Sequence, residues 1–177
     1  MKKYILLLTV FLILGSITLY AQKYEAVKLG KVDLYINSQT NLGGSNRAYV
    51  QIQLPNNTVS WTYSFTTTTN QNSPIFDLTK YAANYISGGI SNAVLNFTGV
   101  PKGEVPCNVY LLDANNINPF LNYQRFTYYN SGTNLNYLYG TFNNTWPNQG
   151  LFYLGLENPG YFNGIYVSIE IVAIVKR

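Results

Sequence analysis

Residues 165–175 read IYVSIEIVAIV, and this stretch decides the fold class. Every second residue of the stretch is apolar, while Tyr166, Ser168 and Glu170 occupy the opposite face. A period of two residues is typical of a β-strand, because successive side chains of a strand point to opposite sides of its sheet. We therefore predict a strand that buries its apolar face in a core and turns Glu170 towards solvent.

The same alternation recurs along most of the chain. Trp61, Tyr63 and Phe65 share one face of another segment, as expected for a strand that packs large side chains against a core. Clusters of glycine, asparagine and proline separate the segments, and such clusters form turns. The predicted strands are residues 31–36, 50–54, 59–66, 90–98, 106–113, 123–129, 135–142, 151–157 and 165–175.

One segment has helical rather than strand periodicity. Apolar residues recur at helical spacing between Phe76 and Ile86, Asp77 can cap the first turn, and two glycines at 88–89 end the pattern. About nine short strands with one short helix predict an all-β fold. We interpret it as a single jelly-roll-like β-sandwich that follows an N-terminal signal peptide.

The N-terminus has the three parts of a secretory signal peptide. A basic head, residues 1–3, precedes an apolar run from Tyr4 to Leu14, and smaller residues lead to Ala21. We predict cleavage after Ala21 and a protein that is secreted or held at the cell surface. The alternative is an uncleaved N-terminal anchor, because residues 4–21 reach the lower length limit for crossing a bilayer. In that case residues 4–21 are the only part of the chain expected to contact the membrane.

The predicted exported part begins with a strand that a flexible linker connects to the sandwich. The predicted divisions are a signal peptide at residues 1–21, an N-terminal strand and flexible linker at residues 22–46, and a β-sandwich domain at residues 47–177. Val32, Leu34 and Ile36 form the apolar face of the N-terminal strand. Such a strand can complete the sheet of a neighbouring subunit, because an open sheet edge offers unpaired backbone groups. The alternative is that it pairs within its own subunit.

Charge and composition exclude some functions. The net charge is +4, with 11 basic and 7 acidic residues, and no basic run is present. Nucleic-acid binding requires clustered Lys and Arg that displace phosphate counterions, so no nucleic-acid partner is expected. Only 10% of the residues are charged and 17 are tyrosine, a composition similar to that of extracellular surface proteins of thermophilic archaea. The single cysteine, Cys107, is expected to be a small buried apolar residue, with a covalent dimer through it as the alternative.

No catalytic residue, metal or cofactor is predicted. The chain has no histidine, which removes Ser-His-Asp and Cys-His mechanisms and most zinc sites. Glu157 and Glu170 could approach across a hairpin, but Glu170 is expected on the solvent face, and all 7 acidic residues are interpreted as solvated carboxylates. Residues 113–118 offer oxygen ligands of the kind that calcium prefers. They lack the further acids and the glycine of a calcium loop, so we interpret them as a turn.

Aromatic residues point to one ligand class. Tyr128, Tyr129, Tyr137, Tyr139 and Trp146 lie in two neighbouring predicted strands and in the loop after them. A flat ring stacks on the C–H face of a sugar, so these residues are a candidate glycan-binding platform with Trp146 as its most exposed ring. The alternative is core packing with a wet tyrosine edge.

Three Asn-X-Thr sequons are present, at Asn56, Asn96 and Asn143. Only Asn56 and Asn143 fall in predicted loops. These two are therefore the candidate N-glycosylation sites in a host that glycosylates exported proteins.

Parts of the chain resemble a known family of secreted domains. Residues 150–158, GLFYLGLEN, and 166–171, YVSIEI, are similar to the closing strand pair of pre-peptidase C-terminal domains. Residues 61–65 and 109–113 are similar to earlier strands of that family. The resemblance covers well under half of the exported chain, and it implies a secreted β-sandwich that binds or targets.

These observations predict a non-enzymatic extracellular structural or assembly subunit, of the filament, surface-layer or virion type, joined by donation of the strand at residues 31–36. The expected partners are further copies of the chain or other cell-surface components. The alternative is a secreted carbohydrate- or surface-binding β-sandwich module, whose partner is a glycan.

Overall fold

The computed structural model describes residues 24–71, 77–87 and 100–177. They form eight strands and two helices. In chain order these are β1 (Tyr24–Ile36), β2 (Arg47–Leu54), β3 (Thr58–Thr68), α1 (Leu78–Ser87), β4 (Cys107–Leu112), α2 (Ala114–Leu121), β5 (Tyr129–Tyr137), β6 (Tyr139–Asn144), β7 (Gly150–Glu157) and β8 (Ile165–Lys176).

The strands form two four-stranded sheets in which every neighbouring pair is antiparallel. The first, called the β1 sheet, has the order β1-β8-β3-β6. The second, called the β2 sheet, has the order β2-β7-β4-β5. Side chains from both sheets meet in one core, so the prediction of an all-β sandwich is confirmed at this level.

The core is built from alternate residues of the strands, as the period-two pattern predicts. Trp61, Tyr63 and Phe65 of β3 stack along the strand, with ring centroids 6.0 and 6.4 Å apart. Each is at most 1% exposed, and burying one such side chain stabilises the fold by about 1.5–3 kcal/mol. The core residues of β8 are Ile165, Val167, Ile169, Ile171 and Ala173, which confirms the apolar face predicted for this strand.

Helix α1 covers part of the outer side of the β1 sheet. Leu78 and Ala82 are fully buried, and they pack against Val172 and Ile174 of β8. Oδ1 of Asp77 accepts a hydrogen bond from the N–H of Lys80 at 2.9 Å, as the predicted helix cap requires. Such a cap contributes about 1 kcal/mol to helix stability.

Helix α2 lies between two predicted strands, where a turn was expected, and was not anticipated. Oδ1 of Asp113 accepts hydrogen bonds from the N–H groups of Asn115 and Asn116, at 2.9 and 3.0 Å, and so starts the helix. The prediction of a turn at residues 113–118 is therefore wrong. The strand predicted at residues 123–129 is also wrong, because only Tyr129 lies in a strand.

Some predictions fall outside the described residues. They are the signal peptide at residues 1–21, the strand at residues 90–98 and the sequon at Asn96. Within the described part of the chain, no helix has the length and apolar character needed to cross a membrane.

Candidate functional site

Strand β1 lies at one edge of the β1 sheet and pairs with β8 of the same chain. The ladder extends over the whole strand, from Tyr24 opposite Lys176 to Ile36 opposite Ile165, with one bulge. The first and last residues of β1 thus lie at opposite ends of the sandwich.

The apolar face of β1 forms part of the core. Ile36 is 1% exposed, and Val32 and Leu34 are partly buried and pack against the core residues. These are the three residues predicted to form the apolar face of an assembly strand. In this structure the strand that fills the position belongs to the same chain.

Ion pairs fasten β1 to β8 only weakly. Nζ of Lys28 lies 3.3 Å from Oε1 of Glu170, but the Lys28 side chain is 47% exposed. Arg177 and Glu25 form a second pair, with side chains 64% and 41% exposed. The Glu170 side chain is 5% exposed, but its carboxylate is also bound to the start of α1, and the exposed Arg177–Glu25 pair contributes only about 0–1 kcal/mol. The backbone ladder and the apolar contacts therefore hold β1 in place.

An open cleft of about 240 Å³ follows the outer side of the junction between β1 and β8. Within it the hydroxyl of Ser168 donates a hydrogen bond to Oδ1 of Asp33, and the rings of Tyr35 and Tyr166 lie 4.9 Å apart. Asp33 is exposed. Reagents in solution can therefore reach this junction from outside.

The segment predicted as a flexible linker, residues 37–46, forms a closed loop with defined contacts. The N–H of Asn37 donates to the carbonyl of Ser45 at 3.2 Å, which brings the two ends of the segment together. The N–H of Gln39 donates to the carbonyl of Gly160, in the loop between β7 and β8, at 3.0 Å. The two loops thus lie side by side at one end of the sandwich.

Asn158 joins these two loops. Its side chain is 1% exposed, and its amide donates to the carbonyls of Asn37 at 3.0 Å and Asn163 at 2.8 Å. Its Oδ1 accepts the N–H of Gly160 at 2.8 Å, and its own N–H donates to the carbonyl of Asn46 at 2.9 Å. A buried amide with all of these partners fixes the relative position of both loops.

Glu170, predicted to face solvent, is only 4% exposed. The prediction is wrong because α1 begins directly above this position of β8. Oε2 of Glu170 accepts the N–H of Leu78, and Oε1 accepts the hydroxyl of Thr79, both at 2.9 Å. The carboxylate therefore satisfies an N–H group that has no partner inside the helix and lies at its positive end.

Arg47, at the start of β2, forms a largely buried ion pair with Glu157 at the end of β7. Both side chains are 14% exposed, and Nη2 of Arg47 lies 2.6 Å from Oε1 of Glu157. Nη1 donates to the carbonyl of Phe120 at 2.7 Å. The guanidinium also lies 4.8 Å from the ring centre of Phe120 and 4.6 Å from that of Tyr123, which adds cation–π attraction.

The second oxygen of Glu157 is also occupied. Oε2 accepts hydrogen bonds from the amide of Asn108 and the hydroxyl of Tyr110, both at 3.0 Å. Burial raises the pKa of Glu157, but the hydrogen bonds from Asn108 and Arg47 and the charge of Arg47 outweigh it, so the pKa lies below its ordinary value. Burial, and then the charge of Glu157, raise the pKa of Tyr110.

The other carboxylates also have partners in the chain. Glu104 accepts the N–H of Thr69 at 2.8 Å and its hydroxyl at 2.7 Å, and these bonds lower the pKa of Glu104. Asp77 and Asp113 cap helices, as described above. The partners of the remaining four were given with their strands: Glu25, Asp33, Glu157 and Glu170. Each of the 7 carboxylates therefore accepts a hydrogen bond from the chain or forms an ion pair with it.

The structure brings together two of the five aromatic candidates. Trp146, 53% exposed in the loop after β6, packs edge-on against Tyr129 with ring centroids 4.9 Å apart. Tyr128 instead packs against Tyr110, at 5.4 Å. The five rings therefore do not form a single platform.

The remaining two candidates lie near the junction of β5 and β6. Tyr137, at the end of β5, packs edge-on against Phe142 of β6 with ring centroids 5.3 Å apart. Tyr139 is 37% exposed at the first position of β6. Both rings are accessible to solvent in part.

Cys107 is fully buried on β4. Burial raises the pKa of its thiol to about 12, so the reactive thiolate is scarce at neutral pH. The interpretation of Cys107 as a small buried residue is confirmed, and a folded copy does not present it for a covalent dimer.

The two candidate glycosylation sites differ in their surroundings. Asn56 is exposed in the turn between β2 and β3, as predicted. Asn143 lies within β6 rather than in a loop, and its Oδ1 accepts the hydroxyl of Thr62 at 2.6 Å. Both residues are exposed, but only Asn56 lies in a turn.

No protein-family profile matches the chain, and no curated protein sequence matches it. Among the described residues, no group of three or more His, Cys, Asp or Glu side chains is placed to hold a metal ion.

Proposed function

We propose that this chain is a non-enzymatic structural subunit outside the cell, exported by the signal at residues 1–21, whose copies associate by exchanging β1. The exported form is secreted or held at the cell surface. Its partner is a second copy of the same chain, and its role is to build an extracellular assembly of the filament, surface-layer or virion type.

The arrangement of the strands supports a jelly roll as the fold of this subunit. The orders β1-β8-β3-β6 and β2-β7-β4-β5 alternate early and late strands of the chain in both sheets. That alternation is what two interlocked Greek keys produce when an eight-stranded hairpin wraps into two sheets, and jelly rolls occur in capsid and lectin domains.

The observation that carries the proposal is the position of β1. It is the first described element, it pairs along its full length with β8 alone in its sheet, and it supplies apolar side chains to the core. A subunit that lacks this strand would expose both the edge of β8 and the apolar core beneath it. The same strand from another copy restores all of these contacts, because the copies are identical.

The hydrogen bonds of the carboxylates support a non-enzymatic role. A carboxyl group that acts as an acid or base catalyst must be able to reach a proton of the substrate. In this chain each of the 7 carboxylates already serves a helix end, a strand or a loop. The absence of histidine removes the commonest alternative base.

Locking β1 to its own β8 tests the proposal. Asp33 and Ser168 are direct partners across the ladder, so Asp33→Cys with Ser168→Cys can form a disulfide in dilute, monomeric protein. We expect this lock to abolish association in light scattering at high concentration, and reduction to restore it. The matched control locks β2 to β7 through Gln53→Cys with Leu151→Cys, and it should associate as the wild type does. Association that survives the β1 lock would contradict strand exchange.

Glycan binding is the second candidate function, and the Trp146–Tyr129 pair favours it. An indole that is half exposed and held edge-on by a neighbouring ring offers a fixed flat face to a sugar. Affinity electrophoresis in gels containing soluble cellulose, chitin or starch derivatives tests it. Retardation that is lost in Trp146→Ala, but kept in the control Tyr161→Ala at the other end of the molecule, would establish this function.

A further inference from the structure

Three large apolar side chains project from the paired loops at the end of β1. Leu42 is fully exposed, Phe162 is 86% exposed and Tyr161 is 62% exposed. We call these three residues the loop tip. Monomeric proteins seldom expose neighbouring apolar side chains to this degree unless a partner covers them.

Tyr161 and Phe162 lie in a loop that is fixed without the connecting segment. The side-chain amide of Asn158 donates to the carbonyl of Asn163 at 2.8 Å, and its Oδ1 accepts the N–H of Gly160 at 2.8 Å. These bonds lie within one loop, so they remain when residues 37–46, which carry Leu42, open to let β1 cross. A surface that is organised before binding loses less conformational entropy when a partner arrives.

The length of the connecting segment limits how copies that exchange β1 can be arranged. A fully extended chain spans at most about 3.6 Å per residue, so residues 37–46 reach about 35 Å. The 13 residues of β1, at about 3.3 Å each, are about 43 Å long. A head-to-tail rod would require the segment to span about the length of a whole subunit, which would stretch it to its limit, whereas subunits whose loop tips face each other need only a short crossing.

Both ends of the connecting segment lie at the loop-tip end of the sandwich. Ile36 pairs with Ile165, and Asn46 is hydrogen-bonded to Asn158. Both ends of the segment therefore lie beside the loop between β7 and β8. When β1 crosses to another copy, its last residue lies at that copy's loop-tip end. The shortest crossing therefore places two subunits with their loop tips facing each other.

We propose that two copies of this chain exchange β1 reciprocally and close into a two-fold dimer in which the loop tips pack against each other. This inference rests on the proposed strand exchange and adds its geometry. Reciprocal exchange leaves no β1 free to continue a chain, so the closed dimer is the unit from which the extracellular assembly is built through other surfaces. The loop tip of each copy is thus covered by the loop tip of the other copy. A two-fold axis brings identical residues together, so charges there would repel, and residues 37–46 and 158–164 contain none.

A disulfide trap tests the closure. Protein starting at Gln22 and carrying Asp33→Cys with Ser168→Cys is refolded at high concentration, oxidised, and separated on a non-reducing gel. Reciprocal exchange predicts a covalent dimer as the largest species. A ladder of larger species would overturn the closed dimer while leaving strand exchange intact. Monomer alone would contradict strand exchange itself, so the two failures are distinguishable.

Substitution of the loop tip tests the packing. Leu42→Ser with Phe162→Ser is expected to raise the dimer dissociation constant about tenfold or more, measured by light scattering after refolding over a range of concentrations. The control is Val59→Ser, which removes a partly exposed apolar side chain at the opposite end of the sandwich and should leave the constant unchanged. A double variant that dimerises as tightly as the wild type would show that the loop tips do not meet.

Discussion

Strands β1 and β2 are the first two described elements and lie at the edges of different sheets, and different contacts hold them in place. Each pairs along its length with a late strand, β1 with β8 and β2 with β7. β2 carries Arg47, whose buried ion pair with Glu157 also involves the carbonyl of Phe120. β1 carries Lys28, whose ion pair with Glu170 has one half-exposed partner.

A difference in how the two strands are connected indicates which edge can move between copies. Removing β2 leaves Glu157 without Arg47, and removing β1 leaves the buried Glu170 without Lys28, so the ion pairs alone do not separate the two strands. However, β1 is joined to the other described elements only at its Ile36 end, whereas β2 is joined to them at both ends. A strand with a single connection can cross to another copy, where an identical site restores its contacts. We therefore assign exchange to β1 and a permanent position to β2.

Loss of the Arg47 side chain should have the largest effect on stability. Arg47→Ala leaves Glu157 buried and without its cation, so we expect the free energy of unfolding to fall by about 3–5 kcal/mol. Urea unfolding followed by tyrosine and tryptophan fluorescence measures this change. Arg177→Ala, at the exposed ion pair with Glu25, is the control and should cost less than about 1 kcal/mol. Equal losses in the two variants would remove the contrast between β1 and β2.

Loss of the Glu170 carboxylate should have an intermediate effect. Glu170→Ala leaves the N–H of Leu78 without its acceptor at the start of α1, which costs about 1.5–3 kcal/mol for a hydrogen bond to a charged group. Glu170→Gln keeps an acceptor and should cost less. Urea unfolding of the two variants checks the order, and a larger loss in Glu170→Gln would show that the carboxylate does not hold the helix.

Acid should reduce the contribution that Glu157, the partner of Arg47 on β2, makes to the stability of the fold. The pKa of Glu157 is lowered in the folded chain, so its contribution to stability is complete above the unfolded value of about 4.3 and is lost as the pH falls through the folded pKa. The stability difference between wild type and Glu157→Gln should therefore shrink as the pH is lowered below about 4. Urea unfolding at several pH values tests this, and a difference that grows in acid would contradict the sign.

The smallest expected effect concerns Cys107, which should not react with thiol reagents in the native protein. Because burial raises the pKa of its thiol to about 12, native protein should not react with a thiol reagent at neutral pH on the time scale of minutes. Reaction should appear together with unfolding in urea. Rapid labelling of native protein would mean that the core opens locally, and the engineered thiols described above would then need Cys107→Ala as background.

The sequence predicts the strands better than it predicts what covers them. The alternation in residues 165–175 identifies β8 and its core face, and Asp77 identifies the start of α1. The same alternation places Glu170 on the outer face correctly but cannot show that α1 lies over that face. Burial of the outer face depends on contacts between distant parts of the chain, and a local period carries no information about them.

Two further features were missed for physical reasons. Helix α2 has the sequence ANNINPFL, with several asparagines and an internal Pro119, and these residues have low helix propensity. The Asp113 cap was its only local signal. The ion pair between Arg47 and Glu157 joins residues 110 positions apart, so it appears only when β2 and β7 are paired.

The most direct test of strand exchange mixes two different proteins, each with one engineered thiol. One carries Asp33→Cys on β1 and the other carries Ser168→Cys on β8, and the mixture is refolded at high concentration and oxidised. We predict a disulfide between the two engineered thiols, identified by mass spectrometry, because they meet only when β1 of one copy lies on β8 of another. A parallel mixture of Gln53→Cys and Leu151→Cys should give no such product. A yield for the first pair no higher than for this control would contradict the exchange of β1.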